Sequence, residues 1–159
     1  MDTVIHWHPS SVNAADSAST LANRSAKFTF SGVSSHAASA PDRGRSALDA
    51  VESMNFMVNL LREHVPTSTR IHYVITNGGS APNVVPNTAQ SFYYVRHPNE
   101  TILREIWDRV MATAEAAALG TGTSMNHEVI HGNYSVLPND TLAKVMHAKL
   151  SSVGGVEYS

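Results

Sequence analysis

Phe28-Thr-Phe-Ser-Gly-Val-Ser-Ser-His-Ala-Ala-Ser-Ala-Pro-Asp-Arg-Gly-Arg-Ser-Ala-Leu-Asp-Ala50 is the stretch around which the rest of the chain is arranged. Phe28 and Phe30 alternate with Thr29, the period of a half-buried strand over Lys27–Ser31, and Gly32 follows it. A polar loop then carries one histidine, His36. From Ser46 to His64 the spacing predicts a helix, with Ala47, Val51, Met54, Val58, Leu61 and Val65 on one apolar stripe and Pro66 behind it. A histidine on a loop between two rigid elements sits where binding and catalytic groups concentrate.

Beyond this stretch, Arg70–Thr76 is β-branched and reads as a second strand. Asn77-Gly-Gly-Ser80 is a turn, and Pro82 and Pro86 confine the next residues to loop or edge. Gln90–Arg96 reads as a third strand. Asn99 and Glu100 open a second helix, as cap and as dipole partner, whose stripe is Leu103, Ile106, Val110, Ala114 and Ala117, with Gly120 as its expected stop. Ser124–His131 alternates as a fourth strand, and Asn139–Leu150 reads as a shorter helix. Before all of these, residues 1–9 read as a short strand ended by Pro9, and Ser10–Ser25 as a linker. The central order is β-α-β-β-α-β: an α+β, ferredoxin-like fold, a four-stranded antiparallel sheet with two helices on one face. That fold hosts many functions, so function has to be argued from sites.

The 159 residues suit one domain, or one and a half. With 42% hydrophobic and 15% charged residues the chain can build a core. A net charge of −2 argues against a nucleic-acid partner, which usually demands a basic face. No apolar run approaches the roughly 18 residues of a membrane span, and no leader pattern opens the chain. The absence of cysteine excludes disulfides, thiolate nucleophiles and cysteine-bound zinc, and fits a cytoplasmic protein.

Four positions are candidates for chemistry. His36 either caps neighbouring groups or offers a proton-active ring. Asn83, held between Pro82 and Pro86, either makes an Asx turn or presents donor and acceptor to a ligand. Arg96 ends an aromatic strand; such an arginine is commonly solvated, yet its fork also matches a carboxylate. His6 and His8 form a His-x-His pair on one face of the expected strand, a geometry able to hold zinc, though most such pairs hold nothing. The strand aromatics, Tyr93 and Tyr94 among them, read as core and interface rather than as a stacking platform.

Three stretches together resemble a known family. Phe-Ser-Gly-x3-His-Ala-x4-Pro-x2-Gly-x-Ser-Ala-Leu-Asp-Ala, Gly-Gly-x2-Pro-Asn-Val-Val-Pro-x2-Ala and Tyr-Val-Arg are similar to the lid, or dimerisation, domain of the two-metal amidohydrolases. Within that family, Pro-Asn-Val-Val-Pro and Arg-Ile-His-Tyr-Val look most like the aminobenzoyl-glutamate hydrolases. The resemblance implies that His36 acts in trans, steadying the scissile carbonyl in a partner subunit's site. It implies that Asn83 and Arg96 bind substrate, Arg96 through the free carboxylate. Asp2-x5-His8 resembles the end of a catalytic domain, which would make His8 a metal ligand only in company with further segments. The implied parent is a metal-dependent hydrolase of N-acyl amino acid amides, p-aminobenzoyl-glutamate foremost, with two divalent metals, zinc or manganese, and none in these residues alone. The partner is a second copy or a sister hydrolase subunit.

On this reading residues 24–134 are the lid, 1–23 a remnant of the catalytic domain with its linker, and 135–159 the return toward it. The family's other metal ligands and catalytic glutamate have no counterpart here, so the chain alone is expected to be inactive. An RNA-binding domain or a small-molecule-sensing domain of the same topology is the alternative. Salt-dependent RNA binding would favour the first, and amino-acid binding without a catalytic partner the second.

Overall fold

Alternation decides which residues of the central strands go inward. In the computed structural model, which describes residues 3–154, β1 (Ala22–Ser31) and β3 (Thr88–His97) lie side by side in the middle of a four-stranded sheet. Phe28 and Phe30 of β1 and Tyr93 and Val95 of β3 are fully buried on one face. The edges are β2 (Arg70–Asn77) and β4 (Ser124–Asn133), giving the order β2-β3-β1-β4 with every pair antiparallel. This is the expected ferredoxin-like arrangement.

The helices α1 (Ala47–Leu61) and α2 (Glu100–Thr121) cover the buried face. Ala47, Val51, Met54, Val58 and Leu61 are buried from α1, and Leu103, Ile106, Val110, Ala114 and Ala117 from α2. Each large side chain so buried contributes roughly 1.5–3 kcal/mol. Phe28 is the hub: its ring meets Tyr93 edge-on at 5.6 Å and Trp107 at 6.0 Å. The core also encloses a polar knot. Asn55 Oδ1 accepts from the Tyr93 hydroxyl and, at 3.3 Å, from Ser91 Oγ. Burial pushes the Tyr93 phenol well above its ordinary pKa, so it stays a neutral donor there.

Both helices start on side-chain caps: Ser46 Oγ accepts from Asp49 N–H at 3.1 Å, and Asn99 Oδ1 from Thr101 and Ile102 N–H. His97, 4% exposed, braces the second cap through Asn99 N–H, which donates to its Nδ1 at 2.9 Å, and through Ser68 Oγ at Nε2. The stop of α2 falls at Gly122, not Gly120. Gly122 takes the left-handed conformation (φ 65°) and its N–H returns to Ala118 and Leu119 O.

Two further expectations give way. The strand over residues 1–9 is not formed at residues 3–9, where Ile5 and Trp7 stand exposed and no neighbouring strand pairs with the backbone. Met1 and Asp2 lie outside the described residues. The expected linker ends earlier than its composition suggests: β1 begins at Ala22, because His97 and Asn133 offer pairing partners that outweigh a weak local pattern.

The chain divides into two compact units, Thr20–Val136 and a smaller one made of the segments on either side. The smaller unit contains α3 (Asp140–Val153), capped by Asn139 Oδ1 accepting from Leu142 N–H at 2.9 Å. Among the described residues no helix is long and apolar enough to cross a membrane.

Candidate functional site

The loop after β1 and the loop before β3 are laced together by their own backbones. Gly32 N–H donates to Asn87 O, Ala37 N–H to Asn83 O, and Val85 N–H to Ser35 O, at 2.9–3.0 Å. Val33 and Arg45 exchange a pair of bonds, and Ala47 N–H, at the start of α1, donates to Pro86 O. Gly32 has to be glycine: a Cβ there would lie 1.9 Å from Arg45 O. Gly79, at φ 103°, turns the second loop, helped by Asn77 Oδ1 accepting its N–H.

These bonds put His36 and Asn83 side by side at the Ser31/Thr88 end of the sheet, both exposed. His36 Nδ1 accepts from Ala38 N–H at 3.2 Å and Ser39 N–H at 3.1 Å. That fixes the neutral tautomer, with Nδ1 bare and the proton on Nε2, available as a donor. So His36 does cap its own loop, and the cap is what orients the other nitrogen. Asn83 uses its backbone carbonyl to hold the His36 loop, while its side-chain amide makes no hydrogen bond among the described residues. The Asx turn belongs to Asn77 instead.

Arg96 is not with them. In register it stands opposite Asn23 on β1 and Arg70 on β2, at the far end of β3 from Thr88. At about 3.3 Å per residue, those eight residues put roughly 26 Å between Arg96 and the His36 loop. Arg96 projects from the sheet face opposite the helices, its guanidinium carbon 5.2 Å from the Tyr94 ring centroid. Its Nε is buried without a hydrogen-bond partner among the described residues, as are Asn23 Oδ1 beside it and Ser25 Oγ one row along. Neither Asn23 nor Ser25 stood out from sequence, because both fell in a stretch that reads as linker.

His8 lies in the smaller unit, its Nδ1 2.8 Å from Pro9 O. Among the described residues no group of three or more His, Cys, Asp or Glu side chains could hold a metal ion. The residues described here therefore do not fit a metal centre by themselves.

Against known proteins, the sequence pattern of the peptidase dimerisation domain matches residues 19–122. The chain is 42% identical over 160 residues to one of the two p-aminobenzoyl-glutamate hydrolase chains of Escherichia coli (strain K12), covering 100% of this chain and 33% of that protein. It is 35% identical over 143 residues to the Xaa-Arg dipeptidase of Mus musculus, covering 89% of this chain and 33% of that one. The chain thus spans about one third of the length of the curated relatives it matches. Among solved structures it superposes on an aminobenzoyl-glutamate utilization protein from Klebsiella pneumoniae with a TM-score of 0.66 at 22% identity, covering 86% of this chain and 35% of that one, a likeness of fold.

Proposed function

This chain belongs to the peptidase dimerisation domain family, and we propose that it is the lid of a hydrolase that cleaves N-acyl amino acid amides of the p-aminobenzoyl-glutamate kind. The observation that carries this reading is the His36 loop. A neutral imidazole, its Nδ1 tied to two backbone N–H groups, presents Nε2–H beside an uncommitted Asn83 amide on a laced, rigid loop pair. Such a donor suits a carbonyl oxygen on its way to becoming an oxyanion, a contact worth about 2.7–4 kcal/mol of barrier. Asn83 can hold the same substrate by donating to or accepting from its amide.

Arg96 grips the substrate's carboxylate, a charge-assisted bond worth roughly 1.5–3 kcal/mol. Because it stands roughly 26 Å along the strand from His36, one chain cannot apply both residues to one small substrate. In this reading each complete site draws Arg96 from one chain and His36 and Asn83, in trans, from its partner. The partner is a second copy or a sister hydrolase chain. The open β2 edge, which carries exposed Ile75, together with α1, which carries exposed Phe56 and Leu60 and is tied to β2 by Asn59 Nδ2 donating to Tyr73 OH, is the surface that suits it, since an open strand edge pairs readily and a two-fold contact is self-complementary.

His8 is assigned to a metal site completed by residues outside this chain. The two divalent metals, zinc or manganese, would supply water activation there. Residues 24–134 form the lid on this reading, with 1–23 and 135–159 leading to and from a catalytic domain. The 159 residues alone are inactive. Purified chain supplied with zinc or manganese and aminobenzoyl-glutamate should release no product, whereas a chimera carrying this chain in place of the matching third of the E. coli relative should turn it over. Release by the chain alone, or a well-folded but dead chimera, would contradict the reading.

A further inference from the structure

The sheet face turned away from α1 and α2 is not the polar surface that an antiparallel sheet with one covered face normally presents. Its central strand places Phe92 and Tyr94 there, two rings meeting edge to face at 5.2 Å. Tyr94 also meets His131 at 6.0 Å across β1, over the row that holds Ser25. A cation stands at each end of the pair: Lys27 Nζ 5.9 Å from the Phe92 centroid, and Arg96 5.2 Å from that of Tyr94. At the Arg96 end lie three of the five buried side-chain polar atoms that have no hydrogen-bond partner among the described residues, Arg96 Nε, Asn23 Oδ1 and Ser25 Oγ; the other two are Ser35 Oγ and Thr69 Oγ1. A buried polar atom left so costs about 1–3 kcal/mol; of the three, Arg96 Nε and Ser25 Oγ are donors on the side of the strip where an anionic group would lie, and Asn23 Oδ1 is an acceptor beside the guanidinium.

We propose that this strip reads the acyl half of the substrate: a planar aromatic acyl group lies on Phe92 and Tyr94 while Arg96, backed by Asn23, holds the carboxylate. The inference rests on the reading of Arg96 given above and adds to it the residues that choose an aromatic acyl group over an aliphatic one. Arg96 and Tyr94 are two residues apart on one strand face, roughly 7 Å, comparable to the reach from a carboxylate across one amide bond to a ring. The aromatic faces and flanking cations suit a flat, anionic molecule, and an aliphatic acyl group would leave the rings uncovered.

The test is binding to the 159-residue chain, followed by NMR titration with N-benzoyl-glutamate and N-acetyl-glutamate. The benzoyl compound should bind about tenfold tighter or better, the range expected for one stacked ring. Phe92→Leu and Tyr94→Leu should each erode that preference and leave N-acetyl-glutamate binding in place. Tyr94→Phe keeps the ring and should keep the preference, which guards against a leucine variant that merely misfolds. If N-acetyl-glutamate binds through Arg96, as judged by its loss in Arg96→Gln, and the benzoyl group adds nothing, the aromatic inference falls and the carboxylate reading stands. If neither compound binds, both fall. If a single-stranded oligonucleotide binds this strip in a Phe92- and Tyr94-dependent way and neither compound does, the face is a nucleic-acid platform and the inference is overturned.

Discussion

The two ends of β3 are finished in opposite ways. At Thr88 the flanking loops largely satisfy each other: their backbones exchange bonds, Ser34 Oγ donates to Val85 O, and His36 Nδ1 is held by two N–H groups, with Ser35 Oγ the one buried side-chain polar atom there that lacks a partner among the described residues. At Arg96 three buried polar atoms have no hydrogen-bond partner among the described residues. The first end is organised by its own chain before anything binds, and it offers one donor outward. On the reading proposed above, the second is completed by what binds to it. If His36 acts in another chain's site, as proposed, it has to arrive already shaped, whereas a residue that receives a substrate can leave its hydrogen bonds open until the substrate comes.

The sharpest way to break the contrast is to remove its two functional side chains in the chimera. His36→Ala should cut kcat about 10²–10³-fold with KM little changed, because the donor acts on the transition state. Arg96→Gln should act chiefly on KM, raising it roughly 10–100-fold as the charge-assisted bond is lost. If the two variants give the same kinetic signature, the ends do not have different jobs. Gly32→Ala tests the claim that the first end is shaped in advance. Its Cβ would run into Arg45 O, so it should destabilise the chain by about 1–3 kcal/mol in thermal melts and weaken amide protection at Val33 and Ala37. An unchanged melt would mean that the loop lacing is not needed.

Phe56→Asp probes the surface proposed to bring the two ends of different chains together. At high concentration the parent chain should scatter light as a dimer and the variant as a monomer, with the melt shifted little because Phe56 is 65% exposed. The smallest effect concerns the core common to both ends. Tyr93 has its pKa raised by burial, with the Tyr73 phenol beside it adding to the rise. The folded state therefore keeps its proton where the unfolded state gives it up. Stability should be intact below the ordinary phenol pKa of about 10 and fall as pH rises above it. Tyr93→Phe should flatten that fall; an equal fall in the variant would place the effect elsewhere.

Much of this was legible in the sequence. Phe28/Phe30 and the α1 stripe needed only local periodicity, and the structure buries the residues they named except Val65, which is half-buried beyond the end of the helix. The segregation of His36 and Asn83 from Arg96 was not legible, because it depends on register, and register is set by pairing across strands far apart in sequence. Phe92 and Tyr94 looked like core beside Tyr93; only the alternation along β3, once its inward face is known, turns them to the other side. Asn23 and Ser25 were hidden for the same reason. Alanine, asparagine and serine carry little strand signal, and β1 reaches them because β3 and β4 are there to pair.

The claim that each complete site takes Arg96 from one chain and His36 from its partner can be tested by mixing two impaired variants. Assayed at substrate well below the parental KM, chimeras carrying His36→Ala and Arg96→Gln should each keep no more than about 1–10% of the parental rate as pure dimers. Unfolded and reassembled together, they should regain about one quarter of the parental rate, since half of the randomly formed dimers are mixed and each holds one intact site. No recovery in a mixture shown to contain mixed dimers would mean that both residues serve the same site from the same chain, and the sharing of sites between chains would be contradicted.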